Sequence, residues 1–245
     1  MDNKEINAVR QTELEEKLEK LFYNNPLYMP YVGPQYDNGI LVVGESHYVK
    51  FDFENLNWHK DFLNEETFVR VWGTPAQREF DSVEAFSSYY NTRMVLAKYL
   101  NKRKENDFEP GSYVFFRNLE KVLSVALKKQ EIDESSWEYC AFMNFYQVPS
   151  LKPSESIYDC FDILGYESLI TRINSIETVK KTIMILNPKA VIVTSKKEAY
   201  ELKQALPNVN IIRSTHPSSP WWNRAHGASN KSGREQLTEA LLNLR

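Results

Sequence analysis

The sequence predicts an α/β fold, a three-layer α/β/α sandwich around a mainly parallel, four-stranded sheet. Short apolar runs alternate with helical patterns along the chain, and glycine or polar residues bound most of these runs. No internal repeat, low-complexity run or linker divides the 245 residues. We therefore expect a single domain over residues 1–245, with an amphipathic helix over 6–23 as an N-terminal extension.

The first strand is predicted at Ile40–Val43, where four apolar residues run into Gly44. The preceding stretch, 24–39, is rich in proline, tyrosine and glycine and is expected to be an ordered loop. Residues 49–78 show no clean periodicity but many aromatic residues, so we interpret them as an irregular segment of an active site.

The rest of the chain repeats the order strand, then helix. A second strand is predicted in WEYCAFMNFYQVPS, ending at Asn144, and the third and fourth are AVIVTS and VNIIRS. Apolar residues recur at helical spacing in the segments between the strands. These helices are predicted at 81–100, 117–129, 167–186, 196–206 and 229–244.

Composition limits the class of protein. The first twenty residues are strongly charged and no apolar run is long enough to span a bilayer, so neither a secretory signal nor a membrane partner is expected. Two cysteines make neither a disulfide framework nor a metal cage, which favours a cytoplasmic protein without a metal. A formal net charge of −3 argues against coating nucleic acid through bulk positive charge.

Polar residues follow three of the predicted strands. They are the loop GESHY after the first strand, Asn144 after the second, and the loop THPSSPWW after the fourth. In open α/β sheets, ligands bind beyond the carboxyl ends of the strands. We therefore expect these three segments to face one cleft.

These pieces resemble the uracil-DNA glycosylase superfamily over roughly residues 35 to 244. In that superfamily one strand ends in a G-x-x-P-Y or G-E-x-P-G loop, a later strand in an asparagine, and a still later one in H-P-S. An L-x-P-K-x-V-x-V segment and a helix lie before the H-P-S loop, and this chain has ILNPKAVIVTSKKEAYELKQAL there. The four pieces occur in this chain in the same order as in the superfamily.

The resemblance implies hydrolysis of the N-glycosidic bond of uracil or a related base in DNA. Glu45 matches the glutamate of the G-E-x-P-G loop and would activate the attacking water. His216 matches the H-P-S histidine and would stabilise negative charge on the departing base. Asn144 matches the asparagine whose amide reads the edge of the base.

The first motif departs from both patterns of the family. Ser46 stands where one branch has aspartate, and His47 replaces the proline. Tyr48 matches the tyrosine that blocks the methyl group of thymine, and Phe53 is a candidate stacking surface. The predicted substrate-binding residues are Gly44, Ser46, His47, Tyr48, Phe53, Asn144, Pro217 and Ser218.

DNA is the expected partner, and no obligate protein partner is evident. The stretch 213–234 contains four arginine or lysine residues and no carboxylate, which suits phosphate contacts. The loop after His216 is where family members push a side chain into the duplex. The predicted DNA-binding residues are Ser219, Trp221, Trp222, Arg224 and Lys231. No cofactor is expected, because two cysteines cannot hold the iron–sulfur cluster that some relatives carry.

Three alternatives remain open from the sequence. A serine hydrolase would use Ser46 and His216, although the nucleophile-elbow pattern needs a glycine where Tyr48 stands. A metal-dependent hydrolase would draw ligands from separate segments, without a compact ligand motif. A non-enzymatic protein would keep the fold and bind DNA or a nucleotide without cutting. The candidate metal ligands are Glu45, His47, His59, Asp61 and His216.

Overall fold

The computed structural model describes residues 3–23, 26–46, 91–128, 134–147, 157 and 168–244. Six helices and five strands lie in these segments. The helices are α1 (Asn3–Leu21), α2 (Thr92–Glu105), α3 (Val114–Leu127), α4 (Ser168–Leu186), α5 (Lys196–Ala205) and α6 (Gly233–Leu242). The strands are β1 (Tyr31–Val32), β2 (Ile40–Gly44), β3 (Cys140–Asn144), β4 (Ala190–Val193) and β5 (Ile211–Arg213).

The fold is α/β, with one sheet in the order β1-β3-β2-β4-β5. The strands β2, β3, β4 and β5 are parallel, and β1 pairs antiparallel with β3. The sheet is therefore mixed and has five strands, so the prediction of four strands is wrong. The extra strand lies inside the predicted loop 24–39, where Tyr31 pairs with Phe142. Two residues are too few to give a periodic pattern in the sequence.

Side chains of the central strand alternate between two buried clusters. Leu41 and Val43 belong to one cluster, and Ile40 and Val42 belong to the other. Helices α1, α4 and α5 contribute to the first cluster, and α2, α3 and α6 contribute to the second. Because both of its faces are covered, β2 is a continuous apolar run rather than an alternating one.

Several helix boundaries differ from the predictions. Helix α3 begins at Val114 rather than at 117, directly after Tyr113 with its positive φ of 51°. Helix α6 begins at Gly233 rather than at 229, because Gly227 and Asn230 also have positive φ and form a tight turn. The second predicted strand shortens to Cys140–Asn144.

The strand order places a crevice at the carboxyl end of β2. From β2 the chain moves outward to β3 and then returns past β2 to β4. Such a reversal leaves room beyond the strand ends, where ligands bind in this class of sheet. None of the helices in the described part of the chain is long and apolar enough to cross a membrane.

Candidate active site

A cavity of about 450 Å³ opens beyond the carboxyl ends of β2 and β3. This volume falls in the range of roughly 300–1,000 Å³ that small-molecule sites occupy. It brings together residues from all three predicted loops, which lie far apart in the sequence. Its lining comprises Gly44, Glu45, Ser46, Val95, Lys98, Ser112, Tyr113, Phe115, Phe116, Phe142, Asn144, His216 and Ser218.

Gly44 and Asn144 meet at the base of the cavity. The two residues are paired neighbours at the ends of β2 and β3. A Cβ atom added to Gly44 would lie 2.5 Å from Asn144 Oδ1, so only glycine leaves room for this amide. Asn144 is buried and lines the cavity. A buried amide at the base of a cavity favours a polar ligand there, because buried polar groups are stable when they are hydrogen-bonded.

We expect Gly44→Ala to displace the Asn144 amide and to lower the free energy of unfolding by about 1–3 kcal/mol through overpacking. A double-mutant cycle with Asn144→Ala, measured by urea denaturation, tests this contact. In the Asn144→Ala background, Gly44→Ala should lower the free energy of unfolding by less. The nearest remaining side chain is then Phe142, whose ring lies 3.5 Å from the added Cβ atom, an ordinary contact distance. Additive costs in the cycle would contradict the close approach of Gly44 to Asn144.

His216 is held by contacts on two sides. Its ring lies 5.4 Å from the Phe115 ring, centroid to centroid. The side chain of Asn118 donates a hydrogen bond to the Pro217 carbonyl at 2.8 Å and so ties the loop to α3. The Ser218 backbone N–H donates to His216 Nδ1 at a long 3.3 Å. With Nδ1 as an acceptor, the proton of a neutral imidazole lies on Nε2.

Burial controls the charge of this histidine. Removal from water disfavours the imidazolium, so burial lowers the pKa of His216 below its ordinary value of 6.5. At neutral pH the ring is therefore uncharged, with Nε2–H as its donor. A neutral donor suits an oxygen that gains negative charge during a reaction, as in the sites that stabilise oxyanions.

Glu45 enters the cavity from the end of β2. Backbone hydrogen bonds hold this turn, because Phe145 N–H donates to the Gly44 carbonyl and Tyr146 N–H donates to the Glu45 carbonyl, each at 2.9 Å. The main chain at Glu45 is therefore fixed to the segment that follows Asn144. The backbone segments that carry Glu45 and Asn144 are therefore held in a fixed relative position at the floor of the cavity.

Ser46 does not have the partners of a nucleophilic serine. Its hydroxyl is buried and makes no hydrogen bond with a described residue, so none of these residues activates it as a base. In a serine triad the histidine donates Nδ1–H to a carboxylate, whereas His216 Nδ1 here accepts from a backbone N–H. This geometry counts against the serine hydrolase, and it leaves the Ser46 hydroxyl available to a ligand in the cavity.

The two tryptophans in the loop after His216 differ in burial. Ser219 caps a 3₁₀ turn over Pro220–Trp222, accepting from Trp221 N–H at 3.2 Å. Trp222 is buried in the same cluster as α6, whereas Trp221 is 52 % exposed. Of the two tryptophans predicted to contact DNA, only Trp221 therefore has an exposed ring to offer.

Part of the positive charge in the predicted basic stretch 213–234 is compensated in the structure. Lys231 forms an ion pair with Glu239 of α6 at 2.7 Å, so a carboxylate outside the stretch reduces its charge. Arg224 is exposed and makes no ion pair with a described residue. Ser232 caps α6, and its hydroxyl contacts the Glu235 carboxylate at 2.6 Å, which occupies the place where a phosphate would bind.

Three predicted site residues, His47, Tyr48 and Phe53, lie outside the described residues. The sequence reasoning missed aromatic residues that line the cavity, above all Phe115 and Phe142, whose ring centroids are 5.8 Å apart. The aromatic run YVFF at the start of α3 could have indicated Phe115 as a lining residue. Phe142 lies two residues before Asn144 and therefore points to the same face of the sheet.

A metal centre finds no support in the described part of the chain, where no three histidine, cysteine, aspartate or glutamate residues come together. Of the candidate ligands, Glu45 and His216 line the cavity. The other three, His47, His59 and Asp61, lie outside the described residues.

No protein-family model, curated protein or solved structure matches this chain. The site therefore rests on its own geometry. That geometry is a cavity with aromatic walls, a carboxylate, a buried amide and a neutral imidazole. The arrangement suits a flat, polar ring that packs against aromatic side chains and forms hydrogen bonds at its edge.

Proposed function

We propose that the protein is a DNA glycosylase that hydrolyses the N-glycosidic bond of uracil or a related base. One observation carries the proposal: Glu45, Asn144 and His216 line a single cavity large enough for a base. These residues come from three separate segments, and each has the chemistry that one part of the reaction needs. The proposal also draws on the resemblance of their motifs to the uracil-DNA glycosylase superfamily.

The base leaves the stack and enters the cavity, where Phe115 and Phe142 supply aromatic surface. The Asn144 amide both donates and accepts hydrogen bonds, which matches the alternating N–H and C=O groups at the edge of uracil. Asn144 is a lining residue of the cavity, at the end of β3. Specificity then follows because a base with a different edge leaves this buried amide unpaired.

Bond cleavage gives the sugar oxocarbenium character and places negative charge on the departing base. His216 Nε2–H donates to the base oxygen that carries this charge. Glu45 orients a water molecule and accepts its proton as the water attacks the sugar carbon. The water oxygen becomes the sugar hydroxyl, and the base leaves with the electron pair of the broken bond.

DNA is the proposed partner, and the loop after His216 is the proposed contact with it. Trp221 presents an exposed ring that would fill the gap left by the displaced base. Arg224 would bind a backbone phosphate. We further propose that the two sets of helices form the outer layers of an α/β/α sandwich, within one domain.

A binding protein without catalysis is the second candidate. Ser46 stands in place of the aspartate of one branch of the family and His47 in place of the proline. These changes affect water placement more than base recognition. Release of free base from uracil-containing DNA by the purified protein distinguishes the two candidates.

A further inference from the structure

A second cavity, of about 420 Å³, lies between α5 and the edge strand β5. We call it the basic cavity, because four of the six described residues that line it are lysine or arginine and none is a carboxylate. The lining comprises Lys196, Lys197, Ala199, Tyr200, Lys203 and Arg213. Such a cluster is unexpected in a chain with a net charge of −3.

The basic cavity is separate from the candidate active site. Ile211 of β5 packs in the same buried cluster as Ala199 and Leu202 of α5. Arg213 follows two residues later and therefore lies on the same side of the strand. The active-site cavity contains Phe142, which belongs to the cluster on the other face of the sheet.

The two carboxylates of α5 have partners outside the basic cavity. Glu201 pairs with Arg172 of α4, and Glu198 is fully buried and accepts hydrogen bonds from Tyr146 and Ser195. In the described part of the chain, ion pairs are absent at Lys196, Lys203 and Arg213. Cations without an ion pair to a described residue attract anions when they surround a concave surface, and the low-dielectric walls strengthen the attraction.

An aromatic ring completes the cavity. Tyr200 is 66 % exposed, although tyrosine usually buries most of its ring in a protein core. It lines the cavity together with cations contributed by both α5 and β5. Cations that bind phosphates, combined with an exposed ring that stacks on a base, are the features with which proteins hold single-stranded nucleic acid.

We propose that the basic cavity binds a nucleotide unit of single-stranded nucleic acid. The lysine and arginine side chains bind its phosphates, and Tyr200 stacks on its base. The site is independent of base excision, and it holds whether or not the first cavity releases uracil. It gives the protein a second contact with a nucleic-acid strand, on the opposite face of the sheet.

The test is binding of labelled, uracil-free oligo-dT, measured by fluorescence anisotropy at several salt concentrations. Lys196→Gln/Lys203→Gln should weaken binding at least tenfold and reduce the magnitude of the salt slope by about 0.7 for each phosphate that is no longer neutralised. The control Lys17→Gln/Lys20→Gln makes the same change of charge on the exposed face of α1 and should bind as wild type. Tyr200→Ala should weaken binding about 5- to 150-fold, and Tyr23→Ala, at another exposed tyrosine, should not.

The monomer dTMP distinguishes a strand from a free nucleotide. Weak binding of dTMP, with much tighter binding of oligo-dT that depends on both lysines and Tyr200, supports the proposal. Binding of dTMP as tight as that of oligo-dT would overturn it in favour of a nucleotide site. Equal effects of the α1 control and the cavity variant, or no binding of oligo-dT, would also overturn it.

Discussion

His216→Ala is expected to slow release of uracil from DNA by roughly ten- to a thousand-fold in single-turnover assays at saturating protein. This range is close to the loss of rate that follows when an enzyme loses one preorganised hydrogen-bond donor to developing negative charge. The histidine is placed for this role by Phe115 and by the Asn118 bond to the loop, and its Nε2–H is the donor proposed to face the base. Because the effect arises in the transition state, affinity for uncleaved DNA should change much less.

Tyr23→Ala is the control for truncation of a ring, because Tyr23 is 83 % exposed and does not line the cavity. It should cleave at the wild-type rate when protein is saturating. A wild-type rate for His216→Ala would show that the imidazole plays no part in bond cleavage.

Glu45→Gln is expected to reduce single-turnover cleavage by about 100- to 10,000-fold, the usual contribution of a general base. Glutamine keeps the shape of the side chain but cannot accept a proton from water. Since backbone bonds fix the turn at Glu45, the substitution should leave the floor of the cavity in place. Binding of uracil-containing DNA should therefore persist while cleavage is abolished or strongly slowed.

Glu177→Gln controls for the removal of one carboxylate. Glu177 lies on α4 in a surface ion pair with Lys180, away from both cavities. Its cleavage rate should equal that of wild type. If Glu45→Gln cleaves as fast as Glu177→Gln, water activation has to be assigned to another group.

The parallel strands were predictable because each is an apolar run that ends in a polar loop. Ile40–Val43 is buried on both faces, so its sequence carries a strong signal. The short antiparallel strand Tyr31–Val32 forms only through pairing with β3, and no local pattern indicates it. The start of α6 was misplaced because the capping-box sequence from Ser232 to Glu235, which marks the start at Gly233, was not used.

The site was predictable where residues follow directly on strands. Glu45, Asn144 and His216 stand at strand ends or in the loops that follow them, and the parallel sheet brings these ends together. Phe115 was missed because its place depends on how α3 packs against the sheet. The burial of Trp222 beside the exposed Trp221 depends on the 3₁₀ turn capped by Ser219, which the aromatic pair alone does not specify.

The most direct test of the account is a single-turnover assay of the wild-type protein with single- and double-stranded oligonucleotides that contain one uracil. The account predicts release of free uracil and an abasic site from at least one of them, with no release from the matching thymine oligonucleotide. Absence of release from both uracil substrates, with salt-sensitive binding retained, would contradict glycosylase activity and favour the binding protein.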